Sequence, residues 1–171
     1  MYYTGIGSRE TPQSVLDFID KIALKLQSMG YILRSGGADG ADLAFEWNVS
    51  QKEVYLPWRG FNNNQSMLYS PSAEAFDIAS PHHPAWNKLP QAVKKLMARN
   101  AHQVLGQDLS TPSQFVLCWT PDACVNSAGR SRKTGGTGLA ISLASSLGID
   151  VHNLANPKTY TKWEEFVNRK P

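Results

Sequence analysis

Three glycine-containing segments carry the residues with which this chain could bind an anion. They are residues 5–9, 35–42 and 134–138. Glycine lets the backbone approach a phosphate closely, and the start of a following helix offers free N–H groups at the positive end of its dipole. Together the segments predict a site for a phosphate-bearing ligand, with a nucleotide as the natural candidate. The alternative is that each glycine only serves a tight turn.

Charged side chains near these segments would complete such a site. Arg9 and Arg99 can hold a phosphate, and Asp39 or Asp42 can accept hydrogen bonds from ribose hydroxyls. The predicted ligand-binding residues are Gly7, Ser8, Arg9, Ser35, Gly36, Gly37, Asp39, Gly40, Asp42, Arg99, Thr134, Gly135, Gly136, Thr137 and Gly138. Structural interpretations stay open, with Asp39 as a helix cap and Arg99 as the partner of a surface carboxylate.

Glu46 is the candidate catalytic residue. Hydrolysis of an N-glycosidic bond passes through an oxocarbenium-like state, which requires a carboxylate near the anomeric carbon. Glu46 can act as the base in such a reaction, with Asp39 and Asp42 as the other carboxylates of the second segment. The alternative interpretation is that Glu46 is a solvated residue on a helix.

Several other chemistries have no support in the sequence. No glycine segment ends in Gly-Lys-Ser/Thr, and the spacing departs from GxGxxG, so ATP hydrolysis is not indicated. Cys118 and Cys124 form no CxxC pair and indicate inert thiols in a reducing compartment. The adjacent His82 and His83 lack a third ligand, so we expect no metal and no cofactor.

Composition indicates one ordinary domain. The chain has 171 residues, 42% of them hydrophobic, and a net charge of +3. No stretch approaches the roughly 18 apolar residues of a membrane span, and residues 1–5 lack the features of a signal peptide, so we expect a cytoplasmic protein without a membrane partner. A charge of +3 is too small to argue for nucleic-acid binding by itself.

Alternating strands and helices must position the three segments. The pattern predicts strands over residues 2–6, 31–34, 52–56, 114–119 and 149–154. Helices are predicted over residues 12–29, 41–47 and 90–106. A fourth helix is opened by segment 134–138 and ends at Gly148, and the final helix starts at a capping box at Thr161. This order favours a single-domain, Rossmann-like α/β fold, with a parallel sheet of about five strands between helices. All three glycine segments then lie at the carboxyl edge of the sheet, where such folds bind ligands.

Two regions are irregular. Residues 57–89 form a loop insertion without a sustained period, whose aromatic residues either stack on a base or anchor the loop, with anchoring favoured. Residues 129–134 form the only compact basic run. This run can steer a polyanion into a cleft, act as a mobile lid or simply be solvated.

Two motifs carry a family resemblance. Gly7-Ser8-Arg9, followed by the segment from Ser35 to Ala44, resembles the nucleotide-binding core of the SMF/DprA and LOG (SLOG) superfamily. The likeness covers roughly the first 56 residues and includes Asp42 at a motif position. It implies a stand-alone, Rossmann-type nucleotide-binding domain of bacterial or phage origin.

The third segment resembles the LOG branch only in part. Residues 134–138 are similar to the Pro-Gly-Gly-x-Gly-Thr loop of enzymes that hydrolyse the N-glycosidic bond of nucleoside 5′-monophosphates. Leu139 stands at the place of the Thr, and Ser142 at the place of the catalytic Glu. A LOG-like phosphoribohydrolase would therefore need another carboxylate.

Three functions follow from the resemblance. The first is hydrolysis of a nucleoside 5′-monophosphate, and the second is a non-catalytic protein that senses or sequesters a nucleotide signal. The third is DprA-like binding of single-stranded DNA, which the modest charge disfavours. Relatives commonly form dimers, so a homodimer is expected, with the helix over residues 90–106 able to contribute a face.

Overall fold

Five parallel strands form one sheet at the centre of the molecule. The computed structural model describes residues 1–171. The strands are β1 (Tyr2–Gly7), β2 (Ile32–Ser35), β3 (Lys52–Val54), β4 (Phe115–Trp119) and β5 (Asp150–Asn153). Their order across the sheet is β3-β2-β1-β4-β5, with every neighbouring pair parallel. The predicted single-domain, Rossmann-like α/β fold is confirmed.

Six helices cover the two faces of this sheet. They are α1 (Gln13–Ser28), α2 (Ala41–Glu46), α3 (Ala73–Ala79), α4 (Gln91–Leu105), α5 (Thr137–Ser146) and α6 (Pro157–Asn168). Helices α1, α2 and α6 pack with one apolar cluster, whereas α3, α4 and α5 pack with a second. Strand residues alternate between the clusters: Leu117 belongs to the first, and Val116 and Cys118 to the second. No helix is long and apolar enough to cross a membrane.

Two helices depart from the prediction. Helix α3 lies inside the segment predicted to be irregular, where Ser72 caps it by accepting a hydrogen bond from the Ala75 N–H. Seven residues are too few for a sustained period, and only Ala75 and Ala79 are buried. Helix α6 begins at Pro157 rather than at Thr161, because Asn156 accepts a hydrogen bond from the Lys158 N–H and acts as its cap.

Strands β1 and β4 are neighbours, although more than a hundred residues separate them along the chain. The chain builds β2 and β3 on one side of β1 and later adds β4 and β5 on the other side. Loops that leave two such strands toward opposite faces open a crevice at the carboxyl ends, which is the usual ligand site of this architecture. Glycine segment 5–9 forms the end of β1 and the turn after it, and segment 134–138 leads into the first turn of α5. Both segments therefore border this crevice.

Candidate functional site

A cavity of about 600 Å³ lies at the carboxyl edge of the sheet. It receives residues from all three glycine segments and from α4. Its lining consists of residues 6–10, Ala38, Asp42, Leu96, Met97, Arg99, Asn100, Gln103 and residues 132–137. The fold thus brings together segments that lie far apart in the sequence.

The predicted binding residues divide into two groups. Those that line the cavity are Gly7, Ser8, Arg9, Asp42, Arg99, Thr134, Gly135, Gly136 and Thr137. Ser35, Gly36, Gly37, Asp39, Gly40 and Gly138 lie outside the lining. Asp39 does not cap a helix: its exposed carboxylate accepts a hydrogen bond from Asn62 Nδ2 at 2.9 Å.

Asp42 joins the first two glycine segments. Its carboxylate accepts hydrogen bonds from the Gly7 N–H at 3.1 Å and from the Ala38 N–H at 3.4 Å. The segments approach so closely that a Cβ at Gly40, where φ is +83°, would lie 2.6 Å from the Ser8 carbonyl oxygen. Burial raises the pKa of Asp42 to about 6, although Arg99 and the two backbone hydrogen bonds oppose the shift.

Arg99 projects from α4 into the floor of the cavity and is only 8% exposed. Its guanidinium donates to the carbonyl oxygens of Gly36 and Tyr55, and its Nε donates to Asn100 Oδ1 at 3.3 Å. A methyl group at Gly36 would lie 2.7 Å from Arg99 NH1 and 2.8 Å from Asp42 Oδ2. Position 36 is therefore glycine because polar side chains occupy the space in front of it.

The third segment leads into the N-terminus of α5. Asn100 Nδ2 donates to the Gly136 carbonyl oxygen at 2.9 Å, which ties the segment to α4. No side chain caps α5 at Gly136, and Gly135 has a φ of +63°. The uncapped start of a ten-residue helix therefore lies on the wall of the cavity, where its dipole favours an anion.

The cavity carries more positive than negative charge. Four cationic side chains contribute to its lining, against two carboxylates. The cations are Arg9, Arg99, Arg132 and Lys133, and the carboxylates are Glu10 and Asp42. The chain has one ion pair, between Arg34 and Glu53. None of the four cations of the cavity therefore has a carboxylate oxygen within 4 Å. The charges of Arg9, Arg132 and Lys133 are available to an anionic ligand, whereas the buried Arg99 also offsets the nearby charges of Asp42 and Glu46.

Comparison with known proteins gives no assignment. No family model, no curated protein and no solved structure matches this chain. The chemistry of the cavity is therefore argued from its own residues. No three His, Cys, Asp or Glu side chains are grouped so that they could hold a metal ion.

Glu46 does not line the cavity. It is 4% exposed, and its Oε2 accepts a hydrogen bond from the Gly37 N–H at 2.9 Å, behind the second glycine segment. Burial, together with the nearby charge of Asp42, raises the pKa of Glu46 to about 7. The interpretation as a solvated residue is wrong, and the catalytic role stays a prediction that this position does not favour.

Ser142 also lies outside the cavity lining. Its buried hydroxyl is hydrogen-bonded to His82 Nδ1 at 2.8 Å and to Ser127 Oγ at 2.5 Å. These contacts join α5 to two turns of 3₁₀-helix, at Ser80–His82 and at Ser127–Gly129. At the position that corresponds to the catalytic glutamate of the LOG enzymes, this chain therefore has a hydroxyl group and no carboxylate.

Several lining residues were absent from the predicted set. They are Ile6, Glu10, Ala38, Leu96, Met97, Asn100, Gln103, Arg132 and Lys133. The basic run at residues 129–134 was a signal for Arg132 and Lys133, and the one-turn spacing from Arg99 was a signal for Gln103. No aromatic residue of segment 57–89 lines the cavity, and Phe76 and Trp86 instead pack against the core.

Proposed function

We propose that this chain binds a nucleotide, or a ligand derived from one, at the carboxyl edge of its sheet. The observation that carries this proposal is the convergence of three glycine segments on one cavity with four cations that form no ion pair. A volume of about 600 Å³ is within the range of small-molecule sites. The proposal includes membership of the SLOG superfamily, which the motifs of the first two segments support.

The parts of the ligand correspond to parts of the cavity. In this proposal the phosphate accepts hydrogen bonds from the backbone N–H groups of Gly136 and Thr137 and from the side chains of Arg132 and Lys133. These groups share one wall and all carry positive charge or free donors. The ribose hydroxyls donate to Asp42, whose carboxylate has acceptor sites beyond the two backbone N–H groups it holds.

Hydrolysis of the N-glycosidic bond is the second candidate function. The observation that favours it is the position of Asp42 in the cavity, with a pKa of about 6. A carboxyl group that titrates near neutral pH can take up and return a proton during a reaction. Asp42, rather than Glu46, is then the carboxylate that contacts the sugar. If no reaction occurs, the same cavity serves to sense or sequester the ligand.

The first experiment measures thermal shifts with AMP, GMP, ADP-ribose and cyclic nucleotides, and uses adenosine as the uncharged control. Bound ligand raises the unfolding temperature by mass action, so AMP is expected to stabilise the protein and adenosine to do so far less. The double substitution Arg132→Ala and Lys133→Ala should abolish the AMP shift, whereas Arg59→Ala, at an exposed site outside the cavity, should keep it. Equal shifts with AMP and adenosine, or none with any phosphate, would refute the proposal.

Chromatography of the same mixtures distinguishes binding from turnover. Released adenine that disappears in Asp42→Asn would establish hydrolysis. AMP recovered intact, together with a thermal shift, would make this a binding protein.

A further inference from the structure

Arg132 and Lys133 stand on a single turn of 3₁₀-helix, residues 132–134, just before α5. Both side chains are exposed. Two backbone hydrogen bonds belong to the turn: the Thr134 N–H donates to the Ser131 carbonyl oxygen, and the Gly135 N–H donates to that of Arg132. So short an element does not fix its own position relative to the sheet. Side-chain contacts must do so.

One carboxylate provides those contacts. Asp122 Oδ2 accepts hydrogen bonds from Ser131 Oγ at 2.7 Å and from Thr134 Oγ1. Its Oδ1 accepts from Thr120 Oγ1 at 2.8 Å and from the Cys124 N–H at 3.3 Å. Asp122 thus fastens both ends of the basic turn to the residue that directly follows β4.

The charge of Asp122 by itself would hinder the site. Partial burial raises its pKa, but the hydrogen bonds from Thr134, Ser131 and Thr120 outweigh this and lower the pKa to about 2. The group is a carboxylate at neutral pH, hydrogen-bonded to a residue of the cavity wall. A negative charge beside an anion site repels the ligand. Its benefit must therefore come from geometry.

We propose that Asp122 is a positioning residue for anion binding. Through Ser131 and Thr134 it holds the turn so that Arg132, Lys133 and the uncapped start of α5 face the same phosphate. Asp122 does not line the cavity, so in this proposal it acts without touching the ligand. This inference rests on the proposed function.

Asp122→Asn separates geometry from charge because the two effects have opposite signs. The substitution keeps the side-chain shape, removes the negative charge and replaces one acceptor with an NH₂ group. If the charge alone mattered, AMP would bind more tightly. If Asp122 positions the turn, AMP binds more weakly. Asparagine has a single acceptor oxygen, so either the donors that contact Oδ1 or those that contact Oδ2 lose their acceptor. We expect a weakening of about tenfold or more, since hydrogen bonds to charged groups are among the stronger ones in proteins.

Isothermal titration of AMP into the full chain tests this. The variants are Asp122→Asn and Thr134→Val. The second keeps the side-chain shape but deletes the hydroxyl that donates to Asp122 and accepts from the Ser131 N–H. Asp108→Asn is the matched control: Asp108 also accepts hydrogen bonds from a nearby N–H and a threonine hydroxyl, but lies outside the cavity. Far-ultraviolet circular dichroism confirms that each variant is folded.

Limited trypsin digestion supplies a readout that needs no ligand. Cleavage after Arg132 and Lys133 should be several-fold faster in Asp122→Asn and Thr134→Val than in wild type and Asp108→Asn. Unchanged or tighter AMP binding in Asp122→Asn, or unchanged cleavage of the turn, overturns the positioning role. The proposed function would still be supported in that case if wild type binds AMP. Failure of wild type to bind AMP or any other nucleotide of the panel refutes the proposed function, and the positioning role with it.

Discussion

Replacing Glu46 by glutamine should stabilise the protein at alkaline pH and leave it unchanged or slightly less stable at acid pH. Burial and the charge of Asp42 raise the pKa of Glu46 from 4.5 to about 7. A group whose pKa is higher in the folded than in the unfolded state makes folding less favourable as pH rises through that interval. At 1.36 kcal/mol for each pKa unit, ionised Glu46 costs at most about 3 kcal/mol at pH 8.

The glutamine in the Glu46→Gln variant would keep the acceptor for the Gly37 N–H and would carry no charge. Its NH₂ group must find a partner in a buried site, so the net gain at pH 8 should be about 1–3 kcal/mol. Below pH 4 both Glu46 and its unfolded counterpart are protonated, so the electrostatic gain should vanish and only the cost of the buried NH₂ group, up to about 2 kcal/mol, should remain. The difference should grow between about pH 4.5 and pH 7 and then stay constant.

Urea denaturation at pH 4, 6 and 8 measures this difference, with the exposed Glu165→Gln as control. A difference between Glu46→Gln and wild type that does not change with pH would refute the reasoning. The same variant tests the catalytic prediction: if Glu46 is the base, adenine release is lost, whereas a purely structural Glu46 leaves it intact.

Three further predictions concern the cavity. Gly36→Ala should abolish AMP binding and lower the free energy of unfolding by about 1–3 kcal/mol, because the added methyl group would collide with Gln103 Nε2. Isothermal titration measures the binding, and urea denaturation measures the stability. Arg99→Met should destabilise the protein by about 3 kcal/mol in urea, since it leaves the carbonyl oxygens of Gly36 and Tyr55 without a donor and removes the positive charge near Asp42 and Glu46. As single substitutions, Arg132→Ala and Lys133→Ala, both at exposed positions, should each change stability by less than about 0.5 kcal/mol and yet reduce the salt dependence of AMP affinity.

Long, regular elements were predictable because their apolar residues repeat. Helix α4, at Gln91–Leu105, lies one residue inside the predicted 90–106 at each end, and β4 lies inside the predicted 114–119. Helix α3 was missed because seven residues with two buried alanines carry almost no periodic signal. The start of α6 was misplaced because two capping patterns compete, and the one at Asn156 forms the cap.

The cavity could be predicted in outline but not in its membership. Glycine segments and parallel strands were enough to place Gly7, Asp42 and Gly136 at one edge of the sheet. Glu46 shares a helix with Asp42, and no local pattern shows that its carboxylate turns behind the glycine segment toward the Gly37 N–H. The role of Asp122 depends on contacts made after the chain folds back, which sequence spacing does not specify.

The neighbouring positions of β1 and β4 have a consequence for how the site is assembled. Asp42 and Gly136 face one cavity but are separated by more than half of the chain. During synthesis the first three strands emerge long before α5, so the ligand has no complete site until nearly the whole domain has left the ribosome. A bound ligand then links the early and late halves of the chain. A ligand-dependent signal would report completion of folding, and two fragments divided in the largely exposed stretch 107–112 should recover that signal only when they reassociate.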